Sequence, residues 1–104
     1  MSNPVTDNCG NKYWYNEERE YHREDGPAIE YVNGNKYWYI NGKRHREDGP
    51  AVKYEDGSKA WYLNGKLHRE DGPALERANG RKEYWINDTK YNSLKEGLMD
   101  QALS

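Results

Sequence analysis

Three histidines open identical heptapeptides in this chain: "HREDGPA" at residues 22–28, 45–51 and 68–74. His22, His45 and His68 are each followed by an arginine, a glutamate and an aspartate. These residue types bind metals and move protons, and three copies at a constant spacing of 23 residues could form a line of metal ligands. A structural role fits the same residues. Asp-Gly-Pro is turn chemistry, arginine and glutamate can pair across a bend, and a histidine can donate to a backbone carbonyl or a carboxylate. Two considerations favour the structural role. Catalysis needs unlike groups that converge, whereas stacked repeats hold identical side chains about one repeat apart. The heptapeptide is also lost, to Tyr91-Asn92-Ser93-Leu94, just where no further repeat remains to be joined. The motif therefore reads as a joint. No catalytic residue, metal ligand or cofactor is assigned, and the chain shows no nucleophile with an adjacent base, phosphate loop, CxxC or HExxH spacing.

The elements that position these residues follow from the repeat itself. "KYWYINGKRHREDGPAVKYEDGS" (36–58) aligns with "KAWYLNGKLHREDGPALERANGR" (59–81), and a decayed copy begins at Lys82 with "KEYWINDTKYNSL". "GNKYWY" at 10–15 recurs at 34–39, offset by 24, so the first copy holds one extra residue before His22. Three full repeats and a decayed fourth thus span 10–91, after a loose N-terminal arm, 1–9, that contains Asn3-Pro4. Internal repetition of this kind decides the fold.

Each repeat reads as β. Short aromatic and β-branched runs are separated by Asn33-Gly34, Asp56-Gly57 and Asn79-Gly80, the pairs favoured in two-residue type I′ turns. The connection "NGKRHREDGP" (41–50) is either one long loop or contains a third short strand, "KRHRE". The expected fold is all-β: a repeat ribbon of antiparallel β-hairpins with a short C-terminal capping helix in 92–104. For that helix Ser93 and Glu96 form a capping box and Leu94, Leu98 and Ala102 a stripe, while Gly97 costs about 1 kcal/mol of helix propensity.

A two-residue turn would set Ile29 opposite Trp38 and Ala28 opposite Tyr39. Ile29, Tyr31, Trp38 and Ile40 then share an apolar face with Val52, Tyr54, Trp61, Leu63, Leu75, Tyr84 and Ile86. The opposite face is polar, with Glu30, Lys53 and Glu76, apart from one aromatic column: Tyr15, Tyr39, Tyr62 and Trp85. Because Tyr and Trp dominate interface hot spots, these seven residues are the expected partner-binding set, for a protein partner or for a second copy of the chain. Lys12, Lys36, Lys59 and Lys82 recur at strand starts. They could contact a row of phosphates, but read first as charges that blunt strand edges.

Composition limits the function classes. Against three Val, three Ile, six Leu and no Phe stand ten Tyr and four Trp, which indicates a thin core of amphipathic rings. The 16 basic and 18 acidic side chains are interleaved, without the basic stripe that marks nucleic-acid binding and with little to hold an anionic membrane. Cys9 is the single cysteine, and no apolar run suggests a signal peptide or membrane span. A cytoplasmic protein is expected.

The segment "WYINGKRHREDGPAVKYEDGS" resembles the MORN repeat, which has the same length and carries an aromatic, "NGK.HG.G", a second aromatic and "DG". Trp38, Asn41, Gly42, Lys43, His45, Gly49, Tyr54, Asp56 and Gly57 occupy comparable positions. The resemblance covers 10–90. It departs where Arg23, Arg46 and Arg69 replace the glycine after the histidine, and in the added Glu-Asp pair and proline. The "HREDGPA" form is similar to repeats of small bacteriophage and bacterial proteins. The resemblance implies an elongated, non-catalytic protein-binding ribbon, and a phage origin would make it an inhibitor of a host protein such as a defence nuclease. It also brings two alternatives into view: a membrane-surface module of the phosphoinositide-binding type, and a metal-binding protein using the histidine row.

Overall fold

The computed structural model describes residues 3–103. The remaining ends of the expected arm and cap, Met1, Ser2 and Ser104, lie outside the described residues. The described residues form thirteen short strands and one helix: β1 (Val5–Thr6), β2 (Lys12–Tyr13), β3 (Ile29–Glu30), β4 (Lys36–Tyr37), β5 (Tyr39–Ile40), β6 (Lys43–Arg44), β7 (Val52–Lys53), β8 (Lys59–Ala60), β9 (Tyr62–Leu63), β10 (Lys66–Leu67), β11 (Leu75–Glu76), β12 (Lys82–Ile86), β13 (Thr89–Tyr91) and α1 (Leu94–Leu103). Nine of the strands form one antiparallel sheet in the order β1-β2-β3-β4-β7-β8-β11-β12-β13. The pairs β5–β6 and β9–β10 form separate two-stranded hairpins. The result is an all-β ribbon of antiparallel hairpins closed by a short C-terminal helix, with extents of 46 × 31 × 17 Å.

Each repeat contains two kinds of turn, and they set different registers. Asn41 and Gly42 both have positive φ, 49° and 80°, and join Ile40 to Lys43 as a two-residue type I′ turn. Asn64-Gly65 and Asn87-Asp88 repeat this geometry. At Asn33-Gly34 only Gly34 is left-handed, with φ 102°. The Gly34 N–H donates to Tyr31 O and the Tyr31 N–H to Asn35 O, so the loop holds three residues. The cause is the side chain: Asn33 Oδ1 accepts the Asn35 N–H at 2.9 Å, which holds Asn33 in an Asx turn on the negative-φ side. Asp56 and Asn79 make the same bond, to Ser58 and Arg81.

That extra loop residue corrects the expected faces. Ile29 lies opposite Tyr37, Val52 opposite Ala60 and Leu75 opposite Glu83, so Tyr37 and not Trp38 shares the face of Ile29. A one-residue slip moves a whole strand to the other face. The row Tyr13, Ile29, Tyr37, Val52, Ala60, Leu75 turns inward, and the row Lys12, Glu30, Lys36, Lys53, Lys59, Glu76, Lys82 forms the opposite face. The lysines therefore cross the middle of the sheet and do not guard an edge.

The core is thin. Val52, Ala60, Leu67 and Ala74 are buried, with Tyr37, Trp61, Tyr62, Leu75 and Trp85 packed against them. Tyrosines extend it toward the N-terminus: Tyr13, Tyr31, Tyr37 and Tyr54 meet edge to face at 5.6–6.2 Å. Tyr21 in turn contacts Tyr13, Tyr15 and Tyr39.

Three further segments take definite form. The segment read as a loose arm contributes β1, which pairs with β2. Asp7 anchors it by accepting the N–H groups of Cys9 and Asn11 and the Tyr13 hydroxyl. The connection 41–50 does contain a strand, β6, but only Lys43–Arg44 belong to it. The helix starts at Leu94, with Ser93 Oγ accepting the Glu96 N–H at 3.2 Å. It does not dock through Leu98 and Ala102, which are exposed, but through buried Gly97. A Cβ there would lie 2.9 Å from Tyr91 Cδ2 and 3.0 Å from Ile86 Cγ1. Gly97→Ala should therefore destabilise the protein despite the gain of about 1 kcal/mol in helix propensity. Urea unfolding followed at the Trp fluorescence maximum checks this: a midpoint lower than wild type is expected.

Candidate functional site

Each residue of "HREDGPA" has a defined position. His22, His45 and His68 each accept, at Nδ1, the backbone N–H of the first turn residue of the next repeat: Asn41, Asn64 and Asn87, at 2.9–3.0 Å. With Nδ1 accepting, the ring proton is on Nε2, where His45 and His68 meet Glu47 and Glu70 at 3.2 and 3.1 Å. The second turn residue is held too, as Gly42, Gly65 and Asp88 donate to Tyr21 O, Arg44 O and Leu67 O.

The arginines organise the other half of the motif. The guanidinium carbons of Arg23, Arg46 and Arg69 lie 3.9, 4.1 and 3.9 Å above the rings of Trp14, Trp38 and Trp61. Each Nε donates to the aspartate two residues on and each Nη1 to the proline carbonyl four residues on. A Cβ at the motif glycine would displace the guanidinium from its tryptophan: the Arg69 carbon lies 2.7 Å from that position at Gly72. The motif alanines, Ala28, Ala51 and Ala74, are wholly buried. Hydrogen bonds from Arg23 and Arg69 hold the carboxyls of Asp25 and Asp71 below the usual carboxylate range.

The expected partner-binding residues fall on two surfaces. Tyr15, Tyr39, Tyr62 and Trp85 are half-buried on the short hairpins and the end of β12. Tyr15 stacks on Tyr21 at 5.2 Å. Tyr39 and Tyr62 accept from Arg44, which also lies over the Tyr37 and Tyr62 rings. Trp85 donates to Glu83 Oε1 and is the main cause of that carboxyl's lowered pKa. The carbonyls of Tyr39, Tyr62 and Trp85 accept the N–H groups of Arg23, Arg46 and Arg69. This column is therefore an inter-repeat seam.

Glu30, Lys53 and Glu76 lie instead in the lysine row. Glu30 and Glu76 are bound by Arg23 and Arg69, both at 3.1 Å. Lys53 holds the equivalent position beside Arg46, with its Nζ 5.8 Å from the Trp38 ring centre. Lys36 and Lys59, two of the strand-start lysines read first as edge charges, flank it across the sheet. That neighbourhood depends on register, which the turn chemistry hid.

Shallow grooves separate successive motif loops. One, of about 780 Å³, lies between Arg23–Gly26 and Trp38, Ile40 and His45–Asp48. Its counterpart one repeat on has about 610 Å³. Among the described residues no three His, Cys, Asp or Glu side chains come together as a metal site. No described helix is long and apolar enough to cross a membrane. Compared with known proteins, the chain matches no family model, no curated protein and no solved structure.

Two outcomes follow for the joint. His68 is buried where His22 is not, so His68→Ala should cost about 2 kcal/mol in urea unfolding, more than His22→Ala, because the orphaned Asn87 N–H is the less hydrated. The hydrogen bonds from Arg23 and Arg69 depress the folded-state pKa of Asp25 and Asp71 from the ordinary carboxylate value. Their contribution is thus complete above about pH 4 and lost as pH falls through the depressed values. The paired variant Asp25→Asn/Asp71→Asn should lose less stability than wild type between about pH 5 and pH 2, measured as the shift in urea midpoint.

Proposed function

We propose that this protein is a non-catalytic, protein-binding repeat module. The observation that carries the reading is the use of the motif's reactive groups. The histidine Nδ1 atoms cap the next repeat's turns, and the guanidiniums are held by tryptophan, aspartate and proline. What is left for contact is the broad face of a ribbon, a form suited to a macromolecular surface. The MORN resemblance supports the same reading, and with a phage origin the module would act as a small inhibitor of a host protein such as a defence nuclease. A second reading, an anionic membrane surface, rests on Lys36, Lys53 and Lys59 standing side by side in the sheet.

Capture of tagged protein in a bacterial lysate, followed by reconstitution from purified components, tests the proposal. Tyr39→Phe/Tyr62→Phe serves as the control, since it keeps both rings and removes only the hydroxyls that accept from Arg44. A partner retained at stoichiometric level and rebound after purification is the expected result. A purified chain that retains no protein and sediments as a homo-oligomer would overturn it, as would stoichiometric metal lost in the triple His22→Ala/His45→Ala/His68→Ala variant. Flotation with phosphatidylserine vesicles that Lys36→Ala/Lys59→Ala abolishes would favour the second reading.

A further inference from the structure

Two of the three motif arginines carry an internal ligand that the third lacks. Arg23 and Arg69 each combine a tryptophan below, an aspartate at Nε, a proline carbonyl at Nη1 and a glutamate from the adjoining strand, Glu30 or Glu76, also at Nη1. Arg46 has the tryptophan, the aspartate and the carbonyl, but the strand position of the glutamate is taken by Lys53. Lys53 is also opposite Lys36 on one side and Lys59 on the other. Like charges directly opposite one another in a sheet are destabilising, and strands lie about 4.8 Å apart, so the three lysines form a compact cationic patch beside the Arg46 guanidinium. Elsewhere the row alternates, with Glu30 between Lys12 and Lys36 and Glu76 between Lys59 and Lys82. Lys36, Lys53 and Lys59 have no ion-pair partner among the described residues.

We propose that Arg46, Lys53, Lys36 and Lys59 are the docking point for a carboxylate-rich segment of a partner protein, which supplies from outside the ligand that Glu30 and Glu76 supply within the other repeats. This rests on the protein-binding reading and names the chemistry of the partner. The site's own copies show which anion fits: at both, a carboxylate bridges to the arginine at 3.1 Å. The surroundings separate a local acidic segment from an extended polyanion. The exposed carboxylates Glu24, Asp25, Glu47, Asp48, Glu70 and Asp71 stand on the motif loops beside the row. A membrane or nucleic-acid backbone laid along the ribbon would meet all of them, whereas a short segment seated on the three lysines need not.

The test is an amide-resolved NMR titration of the full chain with an acetylated hexaglutamate peptide at low salt, where exposed charges are least screened. Inorganic phosphate and phosphatidylserine–phosphatidylcholine vesicles serve as parallel probes. The decisive variant is Lys53→Glu, which gives Arg46 the partner its two counterparts have, so it should fold and melt no lower than wild type. Saturable shifts confined to residues around 36, 46, 53 and 59, with affinity at least about tenfold weaker in Lys53→Glu, are expected. Equal affinity in Lys53→Glu, shifts elsewhere, or no peptide binding would overturn the docking point. So would phosphate or vesicles binding there in place of the peptide. A partner captured equally well by wild type and Lys53→Glu would also overturn it while leaving the module reading intact. A wild type that binds the peptide but captures no protein would count against the module reading alone.

Discussion

A two-residue turn with both residues left-handed leaves two backbone N–H groups without partners in its own hairpin, and this fold is organised by where those groups go. At Asn41-Gly42 they go to the preceding repeat, one to the His22 ring and one to the Tyr21 carbonyl. The bond cannot form unless the neighbouring repeat is in place, so the turn geometry of one unit and the stacking of the next are a single requirement. The tips of the longer hairpins repeat the arrangement with side chains: Asn11 accepts from Val32, Asn35 from Glu55 and Ser58 from Ala78. Stability in such an array is a sum of nearest-neighbour terms, and here each joint carries several hydrogen bonds.

The reliance on polar joints follows from the thinness of the ribbon. Small assemblies bury a small fraction of their surface, and only a handful of aliphatic side chains, Val52 and Ile86 the largest, are fully covered. Rings that are apolar on their faces and polar at their rims make up the difference. Tryptophans under guanidiniums and tyrosines meeting edge to face combine burial with directional contact. The same economy explains the invariance of the heptapeptide within the chain. The histidine, arginine, aspartate, glycine and alanine each meet a neighbour that a different side chain would miss or strike.

A repeat built to satisfy itself makes its exceptions conspicuous. Lys53 stands where its counterparts are Glu30 and Glu76, and the consequence reaches past one ion pair because the ladder sets it between two further lysines. Identical scaffolding on either side supplies an internal control for what the position accepts. The fourth copy departs differently. Asp88 replaces the turn glycine and accepts the Leu67 N–H through its carboxylate, and Gly97 lets the closing helix lie against Ile86 and Tyr91.

The repeat period, the hairpin character of each unit, the capping helix and the joint-like chemistry of the heptapeptide were legible in the residues, because each depends on local pattern or turn preference. Register was not. Asn-Gly is compatible with a type I′ turn and with a three-residue loop closed by an Asx bond, and the Asn33 side chain makes that bond whereas Asn41 is left-handed with its N–H on the His22 ring. That choice decides which residues share a face. It leaves Tyr15, Tyr39, Tyr62 and Trp85 half-buried along the joint between repeats, and gathers Lys36, Lys53 and Lys59 into one patch. Composition and spacing thus determined what the units are, and tertiary hydrogen bonding decided which side of them meets the solvent.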